Sequence, residues 1–204
     1  VLTEEGVSSE FVGYEYLEAD GEITALLDSA AHRVDKLQKG DSGVIVSSRT
    51  HLYGESGGQA GDTGYLHTET GTALVQDCIK PAPLLVVHQI AVEQGQIQAG
   101  QPAHMQVEEG ARLDSARTHH ATYLLHAALR KVLGEHVKQA GSLVAPERLR
   151  FDFTHFSPIS HEALADIEAR VNALILANVA AQTEEMDAEK AFHSGATALF
   201  EEKY

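Results

Sequence analysis

The period of the apolar residues changes near residue 110, and that change limits the chain to folds joining a strand-built half to a helix-built half. Before it, "FVGYEYLEADGEITALL" alternates apolar with polar residues, with "ADGE" read as a turn. "SGVIVSS" and "TALVQDCI" are short β-branched runs and "PLLVVHQIAV" is a longer one, with Gly-, Asp- or Pro-rich turns between them. Short strands at this spacing predict a small barrel or folded sheet. "LDSAAHRVDKLQKG" is read as a short excursion or helix. After the change, Leu124, Leu125, Ala128, Leu129, Val132 and Leu133 recur at helical spacing, and Gly134 offers a C-cap. "SLVAPERLRFDFTHF" returns to alternation, with Leu149, Phe151 and Phe153 on one face and Arg150 and Asp152 on the other. A second amphipathic helix starts behind Ser160, and "TEEMDAEKAFHSGATALF" predicts a shorter one. The expectation is an α+β chain: a β-barrel-like domain over 1–108, then an α+β domain over 109–204 with two main helices on a sheet.

The formal net charge of −15 argues against nucleic acid as a partner, but its distribution does not. Basic residues outnumber acidic ones only over 112–150, where Arg112, Arg117, Arg130, Lys131, Lys138, Arg148 and Arg150 face Asp114, Glu135 and Glu147. A polyanion would approach there; a locally basic solvated face is the plain alternative. The single cysteine, Cys78, excludes an internal disulfide and fits a reducing, cytoplasmic compartment. Nothing around it would lower a thiol pKa, so a half-buried strand residue is expected. No apolar run approaches the ~18 residues of a membrane span. The start has neither a basic nor an apolar leader region, and both ends suggest a domain excised from something longer.

"ARTHHATYLLHAALRKVLG" carries three histidines on one predicted helix. Histidines four apart stand one above the other, close enough to grip one zinc ion. Here His119 has Tyr123 four residues on and His120 has Leu124, while His126 lies roughly 10.5 Å along the axis from His119. The helix thus supplies one candidate ligand without its partner. Against zinc stands an ordinary helix with polar histidines at a solvent-facing start and His126 hydrogen-bonded at the edge of the core.

"RTHLYGESGGQAGDTG" holds five glycines between Tyr53 and Gly64. It is neither a P-loop nor a dinucleotide fingerprint, because no Gly-Lys-Ser/Thr follows and Gly57-Gly58 open no helix. Glycines this dense let a backbone approach a ligand and offer amides to an oxyanion or phosphate. A bulged hairpin in a tight barrel explains them equally well.

Taken together the motifs are specific. Arg49-Thr50-x-x-Tyr53-x-Glu55-Ser56-Gly57-Gly58-Gln59-x-Gly61-Asp62 is followed by the helix from Arg117 and His119 to Gly134. Then come Gly141-Ser142-Leu143-Val144, Leu149-Arg150-Phe151-Asp152-Phe153, and Ala198-Leu199-Phe200-x-Glu202-Lys203-Tyr204. In this order they resemble the editing region of alanyl-tRNA synthetases, from about Phe11 to Tyr204. The resemblance implies a small N-terminal β-barrel followed by an α/β two-layer editing core, as in the second additional domains of threonyl- and alanyl-tRNA synthetases. It implies hydrolysis of tRNA-Ala mischarged with serine or glycine, within an enzyme that attaches alanine to tRNA using ATP. A second site is physically reasonable, because binding alone separates such small amino acids by only a few kcal/mol.

The family's editing centre resembles a zinc site with a His-x-x-x-His pair on this helix and a Cys-x-x-x-His pair downstream. His119 matches the first histidine, Tyr123 stands at the second, and the downstream pair would lie beyond Tyr204, so the zinc set is incomplete here. ATP and Mg belong to an aminoacylation core outside this chain. Thr50, Gly57, Gly58 and Gln59 carry over as residues of the aminoacyl pocket, with Thr50, Gln59 and His119 as catalytic candidates. Arg150 is a substrate-binding candidate on an exposed or pocket-facing strand. His51 and Leu52 replace the usual Pro-Phe or Pro-Met; His51 either projects into the same pocket in place of a lost polar group or, the favoured reading, stands at the surface. The implied partner is the aminoacylated 3′ end of tRNA-Ala, with no DNA and no membrane, and the chain is expected to be a cytoplasmic monomer. The alternative is a non-catalytic tRNA-docking or structural segment with a degenerate zinc site.

Overall fold

The structure is a computed structural model, and it describes residues 5–180, 182 and 184–194. The chain separates into two compact units. The first holds the residues up to Thr118 together with Leu143–Arg148, and the second holds His119–Ser142 with the described residues from Leu149 on.

In the first unit six strands close into an antiparallel barrel. They are β2 (Glu18–Asp28), β4 (Ser42–Ser47), β6 (Gly64–His67), β7 (Gly71–Ala82), β8 (Leu85–Gln98) and β9 (Pro102–Val107). The ring runs β8-β4-β2-β9-β6-β7 and returns to β8 through the long β7–β8 ladder. Two short strands, β1 (Glu10–Phe11) and β5 (Arg49–Thr50), pair in parallel, and β3 (Lys36–Gln38) extends β8 at Gln96–Gln98. Strand alternation sorts the apolar residues. Ile23, Leu26, Ile45, Leu66, Val75, Ile90, Ile97 and Met105 fill the main core. Ala25, Val46, Leu85 and Val87 join a smaller cluster.

Two readings of the first half change, and one left open is decided. "ADGE" is not a turn: β2 passes straight through it, because Asp20 and Gly21 pair with His104 and Ala103 of β9. A ladder partner more than eighty residues away outweighs the local turn propensity. "LDSAAHRVDKLQKG" holds no helix; it turns at Ala31 in the left-handed region and then forms β3. Cys78 is wholly buried on β7, and burial pushes its thiol well above the usual range.

Helix α1 (Glu109–Leu133) runs from the first unit into the second. It ends at Gly134, whose N–H donates to the Arg130 carbonyl at 3.0 Å. Beyond it, β10 (Gln139–Ala145) and β11 (Arg148–Phe153) form a two-stranded sheet. Helix α2 (His161–Ala177) is capped by the Ser160 hydroxyl, which accepts from the Ala163 N–H at 3.1 Å. Ala128, Leu129, Val137 and Ile167 make the second unit's core, flanked by Leu125, Val132, Phe151, Phe153 and Val171. Leu149, Phe151 and Phe153 alternate with the exposed Arg148, Arg150 and Asp152, as the pattern predicts. The last helix shortens to α3 (Ala188–His193), and the motif Ala198–Tyr204 lies outside the described residues.

Candidate functional site

The glycine-rich stretch folds into a two-residue hairpin. Gly57 and Gly58 both take positive φ, 57° and 84°, and the Ser56 and Gln59 backbones bond each other across them. Two successive left-handed residues match the twist of a tight hairpin, and only glycine takes both places without strain. Gly58 and Ala60 also anchor to Val144: the Val144 N–H donates to the Gly58 carbonyl at 2.8 Å, and the Ala60 N–H donates to the Val144 carbonyl at 2.9 Å. Among the described residues nothing accepts from the Gly57 or Gly58 amide. Gly57 itself faces open space. Two adjacent N–H groups at an accessible turn are suited to an anionic oxygen.

Thr50 and His51 lie directly upstream, and both side chains are wholly buried. His88 shares its strand face with Val86 and Ile90, so it too enters the barrel core. Its Nδ1 lies 3.3 Å from the Ile45 carbonyl, which can only accept, so Nδ1 carries the hydrogen and Nε2 the lone pair. The Thr50 hydroxyl therefore donates to His88 Nε2 at 2.8 Å and accepts from the Leu52 N–H at 3.1 Å. One lone pair of Thr50 is left. Burial depresses the pKa of His88 to about 4 and keeps it neutral.

The expectation of a surface His51 is overturned. Its ring is inside, and neither ring nitrogen has a hydrogen-bond partner. Burial, with the nearby Arg112 charge second, lowers its pKa to about 4. The flanking residues gave no warning, because the residue that encloses this segment lies 61 positions away.

That residue is Arg112, at the start of α1. Its Nε donates to both Asp62 oxygens at 3.1 and 3.0 Å, and its terminal nitrogens reach the Gly13 carbonyl at 2.8 Å and the His51 carbonyl at 2.7 Å. Asp62, also buried, accepts from the Tyr53 N–H at 2.6 Å. One guanidinium thus pins both flanks of the glycine hairpin. Sequence reasoning missed it; the only signal was the Gly-Asp that closes the glycine motif.

The other candidates belong to the second unit. His119 Nε2 lies 3.2 Å from the Tyr123 hydroxyl, with ring centroids 5.4 Å apart. Burial, then the neighbouring His120, lowers the His119 pKa. The position that would supply a second zinc-binding nitrogen thus holds a phenol. Among the described residues no three His, Cys, Asp or Glu side chains come together to hold a metal. The described residues do not by themselves make up a zinc centre. His126 is buried, its Nε2 3.4 Å from the Val137 carbonyl, and its ring packs on Phe151 at 5.6 Å. It is the hydrogen-bonded core-edge histidine that the pattern predicts. Arg150 is exposed and paired with Asp152 at 3.1 Å.

Thr50, Gly57, Gly58 and Gln59 therefore belong to the barrel unit, while His119 and Arg150 belong to the helical one. Within the barrel unit the elements make a buried, hydrogen-bonded base for a glycine turn whose two amides find no acceptor among the described residues. The sequence model of the tRNA synthetases class II (A) matches residues 1–111, and the chain belongs to that family, the alanyl-tRNA synthetases. It is 53% identical over its whole length to the alanine–tRNA ligase of Oleidesulfovibrio alaskensis and 51% identical to that of Nitratidesulfovibrio vulgaris. With the alanine–tRNA ligase of Lawsonia intracellularis it shares 49%. In each comparison the chain spans 23% of the relative's length.

Proposed function

We propose that this chain is the proofreading part of an alanine–tRNA ligase, hydrolysing the ester between serine or glycine and tRNA-Ala. The observation that carries the reading is the Gly57-Gly58 turn, whose two amides find no acceptor among the described residues and whose flanks are held by Thr50–His88 and Arg112–Asp62. Water adds to the ester carbonyl carbon, and negative charge gathers on the carbonyl oxygen. In this reading the amides of Gly57 and Gly58 stabilise that oxygen. Collapse breaks the bond to the ribose oxygen, which takes up a proton and leaves as the tRNA hydroxyl. Gln59 is the polar contact to substrate or water, and Thr50 holds the turn's base. From the resemblance alone, His119, whose pKa burial lowers, is carried over as a candidate proton acceptor, and Arg150 as a contact for the nucleic acid. No step passes through zinc. ATP, Mg and the attachment of alanine belong, in this reading, to the remainder of the longer protein, and the compartment is the cytoplasm. No helix among the described residues is long and apolar enough to cross a membrane.

A second reading is a tRNA-docking segment without chemistry of its own. The facing pair of His119 and Tyr123 favours it, because a phenol has replaced the second nitrogen. Incubating the chain with seryl-tRNA-Ala, with and without zinc, separates the two. The first reading expects ester loss above the protein-free rate, reduced at least tenfold by Gln59→Ala. Rates equal to the protein-free control under both conditions would establish the docking reading instead.

A further inference from the structure

A group of rings in the second unit takes no part in the site described above. His136, in the connection between α1 and β10, and His155 and Phe156, just after β11, form a compact aromatic stack. The His136 and His155 centroids are 5.1 Å apart with planes inclined by 19°. Phe156 lies 4.4 Å from His136 and 5.0 Å from His155, inclined by 29° and 28°. The two histidines also share a hydrogen bond, His136 Nε2 to His155 Nδ1 at 2.9 Å, and His155 Nε2 lies 3.4 Å from the Ser157 hydroxyl. Stacked on its inner side, Phe156 remains 82% exposed. A large ring this open and yet oriented by two neighbours presents a flat face to solvent.

The backbone holds the stack in place. The Thr154 hydroxyl donates to the His136 carbonyl at 3.2 Å and accepts from the Lys138 N–H at 3.2 Å, while the Thr154 N–H donates to the Lys138 carbonyl at 3.0 Å. These bonds tie the His136 strand end to the His155 strand end. Gly134, at φ 115°, brings the chain around so closely that a Cβ there would meet His136 Nδ1 at 3.1 Å.

The geometry points to a nucleobase-binding platform: an unpaired base of RNA stacks on the open face of Phe156, backed by His136 and His155. Stacking needs a flat, fixed ring with one free face, and every base offers a matching π surface. Charge selects RNA over an apolar peptide. One of its three rings, His136, belongs to the segment 112–150 in which basic residues prevail in this acidic chain, His155 and Phe156 follow just beyond it, and exposed Lys138 lies two residues from His136. The proposal rests on RNA being this chain's partner, but not on ester hydrolysis.

The test is binding of a fluorescently labelled single-stranded oligoadenylate to the whole chain, beside an abasic oligonucleotide of equal length and charge. Phe156→Ala is expected to weaken oligoadenylate binding about tenfold, Phe156→Trp to keep or tighten it, and the abasic strand to bind alike to all three proteins. The slope of log affinity against log salt should be unchanged in Phe156→Ala, because no phosphate contact is lost. In wild type the imidazole Cε1–H resonances of His136 and His155 should shift on adding oligoadenylate and not on adding the abasic strand. Equal oligoadenylate affinity of wild type and Phe156→Ala overturns the platform while leaving RNA as a partner. Failure of wild type to bind oligoadenylate above the abasic strand overturns it as well. Hydrolysis of seryl-tRNA-Ala, measured separately, tests the proofreading reading and does not depend on either outcome.

Discussion

His51 and His88 show how a single residue can set the chain's response to acid. Both are buried with pKa values near 4, against about 6.5 in an unfolded chain. Between those values the unfolded state binds more protons than the folded one, so stability falls as pH drops from about 6.5 to about 4. Each histidine contributes at most about 1.4 kcal/mol per pH unit across that window, and nothing outside it. Urea denaturation at pH 7.5, 6, 5 and 4.5 should trace this slope. His51→Leu should roughly halve it. The same variant should be about 1–3 kcal/mol more stable than wild type at pH 7.5, because two unpartnered ring nitrogens leave the interior. An unchanged slope would mean that His51 is not enclosed. His88→Leu should behave differently, since it leaves the Thr50 O–H without its acceptor and removes a donor from the Ile45 carbonyl.

Among the elements, the glycine hairpin depends on a helix far along the chain. Arg112 from the first turn of α1 holds Asp62 and the carbonyls of Gly13 and His51. Replacing it with methionine leaves a buried carboxylate without its cation, a loss of about 3–5 kcal/mol. Arg112→Met with Asp62→Asn should recover part of that, and the double-mutant cycle in urea gives the coupling directly. Neither member announces the pair, because they stand 50 residues apart and each has an ordinary local setting. The elements themselves were largely legible. The period of α1, the Ser160 cap and the alternation of Arg150 and Asp152 all appear as read. What failed was local punctuation outvoted by distant pairing: "ADGE" looks like a turn until β9 is laid beside it. Of the site, the Gly57-Gly58 turn was legible as either hairpin or amide donor, and the hairpin is what the backbone forms. The orientation of Thr50 was not, because it is set by His88, 38 residues away.

At the scale of the whole molecule the two units differ in how much apolar material they enclose. The barrel core gathers residues from all six ring strands, whereas among the described residues the second unit's buried core is four residues. Amide exchange should therefore be slowest in β4 and β8 and markedly faster in β10, β11 and α2, which mass-spectrometric hydrogen exchange resolves by segment. Uniform protection across both units would contradict this. The closed ring has a further consequence. In an open sheet one strand can slide along its neighbour by two residues and keep its facing pattern. In the ring, β8 is gripped by β4 on one side and β7 on the other, so any slide must be taken up by the remaining ladders until it returns to its origin. The six strands thus share a single lock on alignment. Inserting one residue within β4 should disrupt them all, while the same residue added at the Ser29–Ala30 turn should be absorbed locally.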